Sequence, residues 1–215
     1  MTEAHEELLN VYDERGVVIG TAPRRAAKAS GRAVGAVNAL VVNHRGELLM
    51  QRRPGDKENG GSWDKSVGGH VSAGESFDET LLREAGEELF DDGASTRIAL
   101  LPSEAAFRER MADGADLERM VVLRRLDLRL NLRDVRRAPR GGVRNVLYHV
   151  AIYGGRSEIA IGDFRPQASE IEELRCVPAA EVDAMLLEGR LAPNRACAWL
   201  TQAHALLSGL ASAPR

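Results

Sequence analysis

The sequence predicts an α+β fold in which a mixed β-sheet is covered by helices on both faces. Short β-prone segments recur along the chain among a few helical ones, without the strict strand–helix alternation of a parallel α/β protein. A length of 215 residues predicts one domain with elaborations. Apolar residues make up 44% and charged residues 28%, a composition that supports a sizeable core and excludes disordered and fibrous classes.

Two hairpins are predicted near the beginning of the chain. Apolar stretches between residues 8 and 20 flank the turn 13–16, where a glycine supplies a left-handed backbone position. The β-prone segments 33–42 and 47–51 flank a second turn at 43–46.

A helix follows the polar, glycine-rich loop 54–61. Ser76 stands three residues before Glu79, the spacing of a capping box, and an amphipathic pattern continues to about Phe90. This segment therefore predicts a helix with one face against the sheet.

The second half of the chain contains further strands and helices. Leucines alternate with polar residues over 126–133, which predicts a strand with one wet face, and 143–153 is its predicted partner. A later strand is expected near 173–177, followed by helices at 179–187 and 194–207.

Charge and cysteine content limit the classes of function. The 29 basic and 32 acidic residues give a net charge of −3, which argues against a nucleic-acid-binding protein. The N-terminus is acidic where a signal peptide would be basic, and no stretch approaches the roughly 18 apolar residues of a membrane span, so we expect a cytoplasmic protein without a membrane partner. Cys176 and Cys197 are expected to be packing residues.

The helix at 77–90 also carries the strongest functional signal. Glu84, Glu87 and Glu88 are spaced to lie on one helical face. Residues 75–92 carry a net charge of −7, with Arg83 as the single base. Such crowding of carboxylates indicates a hard divalent cation, Mg²⁺ or Mn²⁺. For the three glutamates alone, a solvated acidic face is the better interpretation.

The spacing of the surrounding residues favours the functional interpretation. Six positions match the fixed residues of the pattern G-x5-E-x7-R-E-U-x-E-E-x-G-U, the Nudix box: Gly69, Glu75, Arg83, Glu84, Glu87 and Glu88. A shuffled chain would show this match with a probability of about 2 × 10⁻⁴. The pattern's last glycine and aliphatic residue are replaced by Phe90 and Asp91.

The sequence therefore resembles the Nudix family. The segments NVYDERGVVIGTAPRR, GELLMQRR and GGSWDKSVGGHVSAGES are similar to Nudix hydrolases related to type 1 isopentenyl-diphosphate isomerase. The resemblance implies a Nudix α/β/α sandwich, a single domain over residues 1–215. We expect an N-terminal hairpin extension at 1–32, a core at 33–189 with a long insertion at about 92–142, and a C-terminal helix within 190–215.

The resemblance also implies a reaction and its residues. The family hydrolyses a nucleoside diphosphate linked to another moiety, a small-molecule diphosphate substrate, with Mg²⁺ or Mn²⁺. The glutamates of the helix, with the Gly68 carbonyl, would hold the metal ion. Arg83 would pair with Glu75 or a ligand carboxylate, and Gly69 and Glu75 would be structural.

Candidates outside the box have competing interpretations. Glu170 is either a base or metal ligand, or part of a surface cluster. His70 either touches a phosphate or is a hydrogen-bonded loop residue. The segment 124–144 carries a net charge of +6. Its residues Arg137 and Arg140 are candidate substrate contacts, and the alternative is a solvated strand face.

Two other functions are considered. An isopentenyl-diphosphate isomerase would carry a cysteine in place of Gly68, a Glu-x-Glu pair where Arg144 and Val146 stand, and histidines at positions aligned with Ala27 and Val34. A non-catalytic nucleotide sensor has no need for the clustered glutamates. The leaving group, the general base, the role of the inserted segment and the oligomeric state, a homodimer included, are left open by the sequence.

Overall fold

The computed structural model describes residues 6–57, 59–93, 95–137 and 143–192, with the backbone alone at 135–137 and 143–144. Within these ranges the chain forms one mixed sheet with helices and a short 3₁₀ turn at 161–163. The elements are β1 (Leu8–Tyr12), β2 (Val18–Pro23), α1 (Arg24–Ala29), β3 (Ala33–Val42), β4 (Leu48–Arg52), β5 (Trp63–Asp64), β6 (Val67–His70), α2 (Phe77–Phe90), β7 (Ile98–Leu101), α3 (Glu104–Ala112), β8 (Val121–Arg137), β9 (Val143–Arg156), β10 (Glu173–Val177) and α4 (Ala179–Leu187).

Strand β3 organises the sheet. The strand order is β10-β4-β3-β9-β8-β7, and β3 is parallel to β9 over its whole length. On its other edge β3 pairs with β4 at its end and with β6 along its middle. The N-terminal hairpin joins the same sheet, because Val11 of β1 pairs with Val34 of β3.

Helices cover both faces of this sheet, and the predicted fold class is confirmed. One apolar cluster contains buried residues of α2 and β3: Val37, Val41, Leu81, Ala85 and Leu89. A second cluster contains buried residues of β3, α3 and α4: Leu40, Val42, Phe107, Met111, Val182 and Met185. Because neighbouring residues of β3 belong to different clusters, the two groups of helices lie on opposite faces.

Helix α2 begins and ends where the sequence predicts. The Ser76 hydroxyl accepts from the Glu79 backbone N–H, and the Glu79 carboxylate accepts from the Ser76 N–H, which completes the capping box. At the other end Asp91 adopts a left-handed conformation with φ of 51°. Phe90, which replaces the glycine of the box, is buried and stacks on Phe164 with ring centroids 5.7 Å apart. The substitution therefore adds a core side chain at the helix end.

The ribbon of β8 and β9 corrects one prediction. The alternation over 126–133 was expected to give one wet face and one apolar face, but the register shifts between Arg125 and Asp127 and again between Arg129 and Leu132. Each shift changes which side chains face the core. Leu128 and Leu130 are consequently exposed.

Several elements were not anticipated from the sequence. Helices α1 and α3 and strand β7 were not predicted, and β8, predicted over 126–133, extends over Val121–Arg137. The expected helix at 194–207 and Cys197 lie outside the described residues. Cys176 is a free thiol that packs against the apolar cluster of α2. Among the described helices, none has the length and apolar character needed to span a membrane.

Candidate active site

The glutamates of α2 meet the double glycine of β6. The Gly68 N–H donates to Oε2 of Glu88 at 2.9 Å. A Cβ atom on Gly69 would lie 2.1 Å from the carboxylate carbon of Glu84, a distance that no side chain tolerates. Gly69 therefore leaves room for the Glu84 carboxylate against β6, and the backbone of Gly68 binds the carboxylate of Glu88.

These two carboxylates are held in an environment that disfavours their charges. Glu88 is 7% exposed, and its Oε2 accepts a hydrogen bond of 3.3 Å from the Gln51 side-chain amide. Burial, reinforced by the neighbouring Glu84 carboxylate, raises the pKa of Glu88 to about 8. Burial also raises the pKa of Glu84 to about 7, although the adjacent Arg83 opposes the change. The positive charge near the two carboxylates is therefore too small to keep their pKa values in the ordinary range.

Arg83 is directed mainly to another carboxylate. Its Nε and Nη2 donate to the two oxygens of Glu75 at 2.8 and 3.0 Å, and the Thr80 hydroxyl donates to the same group at 2.7 Å. The Arg83 bonds hold the pKa of Glu75 below its usual value. Nη1 of Arg83 also lies 3.1 Å from Glu84 and 3.1 Å from Glu87. The Arg83 guanidinium thus contacts three other residues of the box, Glu75, Glu84 and Glu87.

The donor set of this pocket fits a hard divalent ion in part. Within the described ranges, no group of three or more carboxylate, histidine or cysteine side chains is arranged as a ready-made metal site. Mg²⁺, however, is commonly held by one or two carboxylates and completes its shell with water and substrate phosphates. Glu84 and Glu88 supply such a pair, although Glu84, like Glu87, also lies 3.1 Å from Arg83.

A buried ion pair beside these carboxylates was missed by the sequence reasoning. Asp64 and Lys65 are 1% and 8% exposed. The Lys65 ammonium lies 3.2 Å from Oδ1 of Asp64, and Arg53 lies 3.5 Å from Oδ2. A Cβ atom on Gly68 would lie 2.0 Å from Cε of Lys65. The available signal was a charged dipeptide directly before the β-prone segment that leads to the double glycine.

Other candidates lie on neighbouring elements. His70 ends β6 opposite Ala36, and its ring centroid lies 6.0 Å from that of Tyr148. Glu170 precedes β10 and forms an ion pair of 2.7 Å with Lys57. A phosphate contact by His70 and a catalytic role for Glu170 stay predictions. The Arg137 side chain and all of Arg140 lie outside the described residues.

Three arginines of β8, Arg124, Arg125 and Arg129, are engaged with nearby acids. Arg124 lies 3.7 Å from Glu104 of α3, and Arg129 contacts Asp127 two residues earlier on the same strand. Arg125 donates to both oxygens of Asp78, in the first turn of α2, at 2.7 and 2.8 Å. For these residues the structure supports the alternative of a charged surface rather than a free phosphate site.

A mixed sheet with a double glycine on one strand and a glutamate-bearing helix packed against it defines the Nudix class. The family model described as NUDIX domain matches residues 32–200. The chain belongs to the Nudix family.

Curated proteins and solved structures agree with this assignment. The chain is 38% identical to an uncharacterized Nudix hydrolase of Streptomyces coelicolor over 111 residues, 51% of this chain and 58% of that protein. It is 31% identical to an isopentenyl-diphosphate Delta-isomerase of Corynebacterium efficiens over 112 residues, 51% of this chain and 59% of that protein. The chain thus spans less than two thirds of these relatives. The crystal structure of DR0079 from Deinococcus radiodurans is 22% identical, with a TM-score of 0.62 over 91% of this chain and 98% of that one, and shows the same fold.

Proposed function

We propose that this protein is a divalent-metal-dependent hydrolase that cleaves the diphosphate bond of a nucleoside diphosphate linked to another moiety. The observation that carries the proposal is the pair of a half-buried Glu84 and a buried Glu88, whose carboxylates lie against Gly69 and Gly68 with too little positive charge to offset their own. Nudix hydrolases generally cleave diphosphate bonds, and family membership supports the same reaction class.

The residues of the pocket have distinct parts in this reaction. When bound, Mg²⁺ or Mn²⁺ would neutralise the diphosphate, orient it and make water a stronger nucleophile. Glu84 and Glu88 would hold the ion through their carboxylate oxygens. Arg83 is fixed by its two bonds to Glu75. It would position Glu84 and Glu87 and limit the rotation of their side chains.

A turnover assay tests the proposal. The panel contains nucleotide sugars, ADP-ribose, dinucleoside polyphosphates, coenzyme A and isoprenoid diphosphates, each with Mg²⁺, with Mn²⁺ and with excess EDTA. We expect turnover of at least one substrate with metal and none with EDTA, because the glutamates and an anionic substrate repel each other without a cation. Equal rates with and without EDTA would contradict the metal-dependent mechanism.

Isopentenyl-diphosphate isomerisation is the second candidate, because curated relatives carry that name. The positions aligned with the isomerase's acid–base and metal residues argue against it. Ala27, Val34 and Val146 are all buried in one apolar cluster, and Gly68 supplies no thiol at the position of the isomerase's cysteine. Incubation with isopentenyl diphosphate and Mg²⁺ should therefore yield no dimethylallyl diphosphate. Isomer above a blank without protein would restore this candidate.

A further inference from the structure

Lys65 brings a buried positive charge next to the carboxylate pocket. Its Cε and Nζ atoms lie 2.0 and 2.7 Å from the place where a Cβ atom of Gly68 would be. The N–H of the same glycine donates to Glu88. The buried Lys65 side chain and the buried Glu88 carboxylate therefore both lie against Gly68.

The partner of Lys65 does not cancel its charge at the pocket. Asp64 interacts with Lys65 at 3.2 Å and with Arg53 at 3.5 Å, so one carboxylate is shared between two cations. At Glu88, the electrostatic effect of Lys65, which favours the ionised carboxylate, exceeds that of Asp64, which opposes it. Lys65, Arg53 and Asp64 together carry one net positive charge on the Gly68 side of Glu88.

We infer that Lys65 is a built-in cation of the carboxylate pocket that weakens divalent-metal binding to the free protein. Like charges repel strongly where the surroundings are desolvated, and a divalent ion at Glu84 and Glu88 would experience twice the repulsion of a monovalent one. The free protein should consequently hold its metal ion more weakly than the two glutamates alone would. The inference rests on the proposed metal-dependent function.

Calorimetric titration of the metal-free protein with Mn²⁺ tests this role. In Lys65→Met the side chain keeps a similar length and loses its charge, and we expect the Mn²⁺ dissociation constant to fall at least ~10-fold. Lys65→Arg keeps the charge and is the matched control, for which we expect a value close to that of the wild type. Unchanged or weaker Mn²⁺ binding by a folded Lys65→Met variant would overturn the inference.

Loss of folding is separated from loss of charge by a second variant. Lys65→Met leaves Asp64 short of a partner, so the melting temperature of each metal-free variant is measured in parallel. The double variant Asp64→Asn with Lys65→Met removes the ion pair as a unit, and we expect it to bind Mn²⁺ more tightly than the wild type but less tightly than Lys65→Met. If the single variant does not fold, unchanged affinity in the double variant overturns the inference.

The experiments distinguish failure of the Lys65 inference from failure of the proposed function. Wild-type turnover that survives EDTA would refute metal-dependent hydrolysis itself. Turnover that requires metal, together with unchanged Mn²⁺ affinity in Lys65→Met, would refute the role of Lys65 alone.

Discussion

Helix α2 and strand β8 carry opposite charges and use them in different ways. On α2, Glu88 is buried and Glu84 is half-buried beside it, and their charges are under-compensated. On β8, by contrast, Arg125 and Arg129 lie at the surface and contact acids nearby. A count of charges ranks both segments as unusual, but burial with too little counter-charge distinguishes a candidate reaction site from a charged surface.

The largest effect should follow from removing a buried charge of α2. Glu88→Gln keeps the shape and the acceptor for the Gly68 N–H but removes an anionic metal ligand. We expect kcat to fall at least about 100-fold, the scale of one lost electrostatic contact in a transition state. Glu87→Gln should also lower kcat, since Glu87 shares Arg83 with the pocket.

Glu79→Gln on the same helix is the control, because glutamine also completes a capping box and Glu79 is a partner of the Ser76 N–H. Its kcat should match that of the wild type. Equal loss in Glu79→Gln and Glu88→Gln would mean that helix stability, and not the buried pair, determines the rate.

Glu88→Gln, which should lower kcat, should raise the stability of the metal-free protein. In the metal-free protein the folded-state pKa of Glu88, about 8, exceeds the ordinary value of 4.5. Between these values the folded state binds more protons than the unfolded state, so stability falls as pH rises and the full loss is present above pH 8. We expect metal-free Glu88→Gln to melt at least ~3 °C above the wild type at pH 8.5.

At pH 4.5 the difference should nearly vanish, since the wild-type carboxyl is then neutral in the folded protein. Melting curves of the wild type and Glu88→Gln, recorded in EDTA at pH 4.5 and pH 8.5, measure this difference in melting temperature. A wild type that is more stable than Glu88→Gln at pH 8.5 would show that the pocket already contains enough positive charge, and the contrast with β8 would disappear.

Local signals account for what could be predicted. Helix α2 was predicted with its ends because the capping box and the apolar period are properties of adjacent residues, and the box residues followed from spacing. The burial of Asp64 and Lys65 depends on the pairing of β5 with β4 and on the approach of Lys65 to Gly68, which sequence spacing does not encode. The faces of β8 depend on Asn131, whose left-handed backbone lets its N–H donate to Nδ1 of His149 at 3.0 Å.

A smaller effect on activity is expected from Arg137 and Arg140 of the arginine-rich segment 124–144, whose side chains lie outside the described residues. Arg140 stands in a glycine- and proline-containing stretch with a surplus of positive charge, suited to paired bonds with phosphate oxygens. We expect Arg140→Ala, and likewise Arg137→Ala, to raise KM about 3- to 10-fold with kcat nearly unchanged, the signature of lost uniform binding. Steady-state kinetics on the substrate found by the panel provides the measurement. Wild-type kinetics in both variants would assign this stretch to the solvated surface.

The smallest effect is expected at Arg125, which forms the contact between the two regions. Its guanidinium bonds both oxygens of Asp78 in the first turn of α2, and the buried Tyr153 hydroxyl donates to the same carboxylate at 2.6 Å. In Arg125→Ala the tyrosine still holds Asp78, so only an exposed ion pair is lost, worth about 0.2–1 kcal/mol. The melting temperature should fall by at most ~3 °C, and kcat and KM should stay at wild-type values. A several-fold rise in KM would show that β8 contacts the substrate through Arg125, although this arginine is paired with Asp78 at the surface. The pairing of a charged side chain with a nearby acid would then no longer distinguish β8 from the candidate site on α2.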